Sequence, residues 1–141
     1  MKKYYCDDQF QTYPPQYWHI VLNWILPKAN YVEVSRSFIN TELPAVLAAA
    51  QVALPNIATR VYTATHRFLI TQEVVEYITS KSYEDFDYGH GEFEDPAFFQ
   101  DDILLLGTIS HEDYVVMLLD EVERQQIETL GFNFWCEWTS E

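Results

Sequence analysis

Between Ser82 and Glu123 the chain carries thirteen carboxylates and neither a lysine nor an arginine. Charged groups are almost never fully buried unless paired, so a fold that accepts this stretch must place most of those side chains in water. The first half of the stretch also holds Tyr83, Phe86, Tyr88, Phe93, Phe98 and Phe99. Acids and rings together define a kind of surface. They do not define a reaction.

The charge is unevenly placed. Residues 1–81 are nearly neutral, with seven bases against six acids, whereas residues 82–141 set Arg124 alone against sixteen acids. The net charge of -14 therefore belongs to the last sixty residues. A density of that kind repels itself and asks for a cationic partner, a metal or solvation as compensation. Direct binding to nucleic acid or to an anionic membrane is not expected, because neither meets a basic footprint here.

The chain of 141 residues is the size of one domain and can bury a core without disulfide or metal. Its 48% apolar and 16% aromatic content is far from a disordered profile. Met1-Lys2-Lys3 leads into Tyr-Tyr-Cys-Asp-Asp, not into an apolar run, so no signal peptide is expected. The most apolar segment, Tyr17 to Leu26, is too short to span a bilayer. These features predict a soluble, cytoplasmic protein. Cys6 and Cys136 are read as reduced thiols of such a compartment, a bridge between the chain ends being the less favoured pairing.

Periodicity and punctuation predict the elements. Lys3–Gln11 reads as a first strand, and Pro15 opens a helix through Leu26 that Pro27 stops. Tyr31–Phe38 alternates weakly and reads as a strand. Thr41 caps a helix over Glu42–Leu54, and Ile57–Ile70 is one long strand or a hairpin. Thr71 caps a helix over Gln72–Ser80. Ser82–Asp102, with Gly89-His90-Gly91 and Pro96, reads as an ordered loop, and Ile103–Ile109 as a strand. Ser110 looks like the cap of a helix carrying Val115, Leu118, Leu119, Val122, Ile127 and Leu130 up to Gly131. Phe132–Trp138 alternates as a closing strand. The sum is an α+β fold in a single globular domain over 1–141. It comprises a mixed or antiparallel sheet of about four to five strands, packed with three to four helices, and an acidic, aromatic-rich loop at 83–102.

Candidate chemistry is sparse. Asp85-x-Asp87-x-Gly89 resembles the opening of a calcium loop, but Pro96 stands where a bidentate glutamate is needed. His90 with Asp87 and Glu92 is a candidate for a transition-metal site. His19 is read as a satisfied helix histidine and His66 as a surface residue. His111 has no second histidine at Val115, so the zinc-protease motif is absent. There is no phosphate loop, nucleophile elbow or CxxC pair, and no cofactor is expected.

The leading expectation is a non-enzymatic, protein-binding module of the inhibitor or immunity type. It would engage a basic protein surface through Asp85, Asp87, Tyr88, Glu92, Glu94 and Asp95, each partner arginine taking a carboxylate and the rings supplying contact area. One alternative is a small metal- or ligand-binding enzyme that uses His90 and neighbouring acids. The other is a structural subunit of a homo-oligomer. Oligomeric state is not encoded in any feature of the chain.

Overall fold

The structure is a computed structural model, and it describes residues 2–36, 42–55, 65–86, 93–134 and 136–139. Among these the chain order is β1 (Lys3–Asp7), α1 (Gln16–Ile25), β2 (Tyr31–Arg36), α2 (Ala45–Ala50), β3 (Gln51–Val52), β4 (Thr65–Leu69) and α3 (Gln72–Thr79). It continues with β5 (Phe93–Gln100), β6 (Ile103–Ile109), β7 (Tyr114–Leu119), α4 (Glu121–Glu128) and β8 (Cys136–Thr139). All eight strands join one sheet in the order β3-β4-β2-β5-β6-β7-β1-β8, and every pairing is antiparallel. None of the described helices is long and apolar enough to cross a membrane.

Register explains where the core lies. Directly opposed residues share a face of a sheet. One row crosses it as Phe68, Val32, Phe98, Leu106, Met117 and Tyr5, and all six are buried. The helices stack on this face. Trp18 of α1 lies 6.4 Å from the Phe98 ring, Leu47 and Ile78 close over Val32 and Phe68, and Arg124 of α4 sits over Tyr5 at 5.6 Å. The next row points the other way and holds Arg67, Glu33 and Ala97 on one side, Gly107, Val116 and Cys6 on the other.

The α+β class and the single sheet agree with the sequence, but the sheet is larger than the expected four to five strands. Three strands were hidden. β3 is a two-residue extension of the alanine-rich helix, which ends at Ala50 and not at Leu54.

β5 lies inside the segment expected to be a loop, at its centre in the sheet. Its proline disguises it, because proline cannot donate to a ladder and is confined to edges and bulges. Pro96 sits in such a bulge. Glu33 opposes Ala97 and Ser35 opposes Glu94, so Asp95 and Pro96 together face the single residue Val34. Asp95 takes the left-handed conformation (φ 55) that the extra residue requires.

β7 lies where a helix from Ser110 to Gly131 was expected. Ser110–Glu112 make only a 3-10 turn, which Asp113 ends in the left-handed region (φ 56). Tyr114–Leu119 then extends, as a run dominated by β-branched and large apolar residues does when both faces are covered. The helix begins only at Asp120, whose carboxylate accepts from the Glu123 amide (2.8 Å) while the Glu123 side chain accepts from the Asp120 amide (2.9 Å). That reciprocal capping box, not the Ser110 signal, fixes its start.

Of the other elements, α1, α3 and β6 match closely, whereas β1 stops at Asp7 before a 3-10 turn at Phe10–Thr12, short of the expected Gln11, and the closing strand is Cys136–Thr139 and does not include Phe132–Phe134. Pro15 precedes α1, and Thr71 caps α3 by accepting from the Val74 amide at 3.2 Å. Thr41 and most of Ile57–Ile70 lie outside the described residues; β4 is the part of that segment the structure describes. The register of β1 with β8 sets Cys6 opposite Cys136. The Cys6 thiol is buried and accepts a hydrogen bond from Tyr114 (3.1 Å).

Candidate protein-binding end and the adjoining groove

Strand register brings distant acids to one end of the sheet. Arg36 opposes Phe93, Ile109 opposes Tyr114, and Asp7 opposes Val115. The strand ends near Asp7, Glu94, Asp95 and the turn Ser110–Asp113 therefore lie together. Three contacts tie this end up. The Ser110 amide donates to Asp95 Oδ1 (2.7 Å), the Phe10 amide donates to the Asp113 carbonyl (3.3 Å), and Gln11 Nε2 donates to the Ser110 carbonyl (3.4 Å). The short 3-10 turn Tyr83–Phe86 is pinned to the same end through its rings. Tyr83 lies tilted 4.7 Å from Phe10 and edge-on 5.2 Å from Trp18. Its acids Glu84 and Asp85 stay exposed.

Asp7 is the buried anchor of this end. Its Oδ1 accepts from the Gln9 amide (2.7 Å) and its Oδ2 from the Tyr13 hydroxyl, which in turn accepts from the Asn133 amide (2.9 Å). Burial and the bond to Asp7 push the Tyr13 phenol up to about 12.

The described cations are engaged mostly elsewhere. Lys2 and Lys28 meet Glu123 at 3.6 and 2.9 Å, and Arg124 pairs with Glu121 and Glu128 on α4. Burial pushes the Glu123 carboxyl up, but the Asp120 amide and Lys28 outweigh it and hold it below its ordinary value. Of the described bases, Arg36 and Lys81 approach the acidic end, lying over the rings of Phe93 (5.9 Å) and Tyr77 (5.2 Å).

On the sheet face turned away from the helices lies a groove of about 350 Å³. Ala97, Phe99, Leu104, Gly107 and Val116 form its apolar walls, and it reaches the acidic end at Asp95, Ile109 and Tyr114. A Cβ at Gly107 would stand 3.2 Å from Val116 and 3.3 Å from Leu104, so glycine there keeps the wall low.

Beyond the groove, Arg67 is buried at 4% exposure. Its Nη1 donates to Glu33 Oε2 (2.8 Å) and its Nη2 to the Asp101 carbonyl (2.6 Å). The guanidinium lies over Tyr31 at 4.1 Å and near Phe99 at 5.3 Å. This pair separates the groove from a second hollow of about 420 Å³ beside Val52–Pro55, Asp101 and Asp102.

The site residues expected from sequence divide accordingly. Asp85, Glu94 and Asp95 come together at the acidic end. Asp85 also closes its own turn, accepting from the Ser82 amide at 2.9 Å. Asp87, Tyr88, His90 and Glu92 lie outside the described residues, so the metal candidates do too. The rings are not free contact area: Tyr83, Phe86, Phe93 and Phe98 are buried in the core. Among the described residues no three His, Cys, Asp or Glu side chains form a metal-holding group. His19 bonds the Thr79 carbonyl (2.9 Å), and His66 meets Gln51 (3.0 Å). The groove and the Glu33–Arg67 pair had no sequence signal, because they arise from register between strands far apart in the chain.

Comparison with known proteins adds nothing to this geometry: no family model, no curated protein and no solved structure matches the chain.

Proposed function

We propose that this protein is a binding module, not an enzyme, and that its acidic end docks on a basic surface of another protein. The observation that carries this reading is the convergence of carboxylates from four chain segments on one end of the sheet: the exposed Asp8 just after β1, Glu84–Asp85, Glu94–Asp95 at the start of β5, and Glu112–Asp113 before β7. Most described cations meanwhile pair with acids elsewhere. An inhibitor or immunity-type role suits such a face, since clustered carboxylates offer bidentate acceptors to arginines and steer a cationic partner into register.

The buried rings refine the mode of binding. With Tyr83, Phe86, Phe93 and Phe98 committed to the core, they hold the acids in place and do not themselves touch the partner. Recognition is then chiefly electrostatic, and salt weakens it steeply.

The test is affinity capture from the native host with three proteins: the wild type, an acidic-end triple variant (Glu84→Gln, Glu94→Gln, Glu112→Gln), and a control triple variant (Glu73→Gln, Asp102→Asn, Glu121→Gln). Both variants lose three negative charges. A basic partner retained by the wild type and the control but lost by the acidic-end variant supports the reading. Equal retention by all three would overturn it.

A further inference from the structure

We infer that the groove beside the acidic end receives one long basic side chain of the docked partner, its stem on the apolar walls and its cationic head at Asp95. The inference rests on the docking reading above and adds to it a single anchoring contact.

Three observations carry it. First, size: the groove of about 350 Å³ has room for the whole length of a lysine or arginine side chain. Second, the walls: Ala97, Phe99, Leu104 and Val116 present the apolar surface on which the methylenes of lysine or arginine lie while the head stays polar.

Third, charge: among the described residues two carboxylates line the groove, and one of them meets a cation. Glu33 is paired with Arg67 at 2.8 Å. Asp95 uses Oδ1 for the Ser110 amide (2.7 Å), and among the described residues its Oδ2 meets no cation. The left-handed turn of the β5 bulge fixes the Asp95 backbone, so the acceptor is held ready. A cation entering from the acidic end meets Asp95 first. A neutral ligand would leave that carboxylate uncompensated, and an anion would be repelled by it.

Backbone-amide NMR of the full chain tests this with three short blocked peptides, Gly-X-Gly with X as arginine, lysine or norleucine. Norleucine keeps the stem and removes the charge. The expected result is that the arginine and lysine peptides shift the amides of Ala97, Gly107, Thr108 and Val116 and the norleucine peptide does not. Asp95→Asn, which tolerates the same backbone, should weaken the cationic peptides about tenfold or more, the worth of a charge-assisted hydrogen bond. Ala97→Leu should abolish the groove shifts by filling the wall and leave those at Glu84 and Glu112.

Cationic peptides that shift only Glu84, Glu94 and Glu112, with the groove amides unmoved, would overturn the groove and leave the acidic-end reading intact. Groove shifts equal for norleucine and lysine would overturn the role of Asp95. No shift anywhere would count against both.

Discussion

Arg67 shows how much a single residue can depend on partners far from it in sequence. Its guanidinium is buried between Tyr31 and Phe99, and its charge is met by Glu33, thirty-four positions away. Asp102 also approaches the guanidinium, at 3.6 Å, but its carboxylate is largely exposed, so removing Glu33 leaves Arg67 without its buried counter-ion, a loss that costs about 3–5 kcal/mol. Glu33→Gln should therefore lower unfolding free energy by about that amount in urea titrations. Glu33→Leu combined with Arg67→Met should cost less than either single change, because the desolvation is then removed together with the attraction. Tyr13 makes a second residue-scale case. Its phenol is raised from 10.0 to about 12 in the folded state. A group that holds its proton more tightly when folded contributes fully below the unfolded value and loses that contribution as pH rises through the folded one. Melting temperature should thus fall between about pH 10 and 12, with a shallower fall in Tyr13→Phe.

At the scale of elements, the readable parts of the sequence were those set by local chemistry. Pro15, Thr71 and Pro27 mark helix limits in the chain itself, and α1 and α3 follow them closely. β5 and β7 were not readable, since their signals point the wrong way locally. Pro96 argues against a strand until the bulge opposite Val34 is known, and Val115, Leu118 and Val122 mimic helical spacing across a strand and a helix that are separate. The capping box at Asp120 was present in the sequence as Asp-x-x-Glu, but the stronger-looking Ser110 start masked it. The cap gives a direct check. Asp120→Ala should cost about 1 kcal/mol by thermal or urea unfolding, whereas Ser110→Ala, whose buried hydroxyl makes no hydrogen bond among the described residues, should not shorten α4. Glu123 completes the box and its carboxyl is held below the ordinary 4.5. Its contribution is present above that value and lost as pH falls below it, so Glu123→Gln should flatten the acid limb of the stability curve.

For the whole molecule, what matters is how the fold distributes charge that the sequence had already segregated. The excess acid belongs to residues 82–141, but it does not remain one block in space. The carboxylates of α4 return to the bases Lys2, Lys28 and Arg124, whereas those around Glu84, Glu94 and Glu112 gather at the far end of the same sheet. Over its described residues the acidic loop expected from sequence is therefore part 3-10 turn and part central strand, and Tyr83, Phe86, Phe93 and Phe98 serve the core, which holds the neighbouring acids at fixed positions. The most direct test is the association rate of the captured partner with wild type, the acidic-end triple variant and the control variant, followed against ionic strength. The wild-type rate should be fast and fall steeply with salt, the control should behave like it, and the acidic-end variant should be slower by tenfold or more at low salt with a flattened salt dependence. Rates that fall alike in both variants, or that ignore salt altogether, would contradict docking at the acidic end.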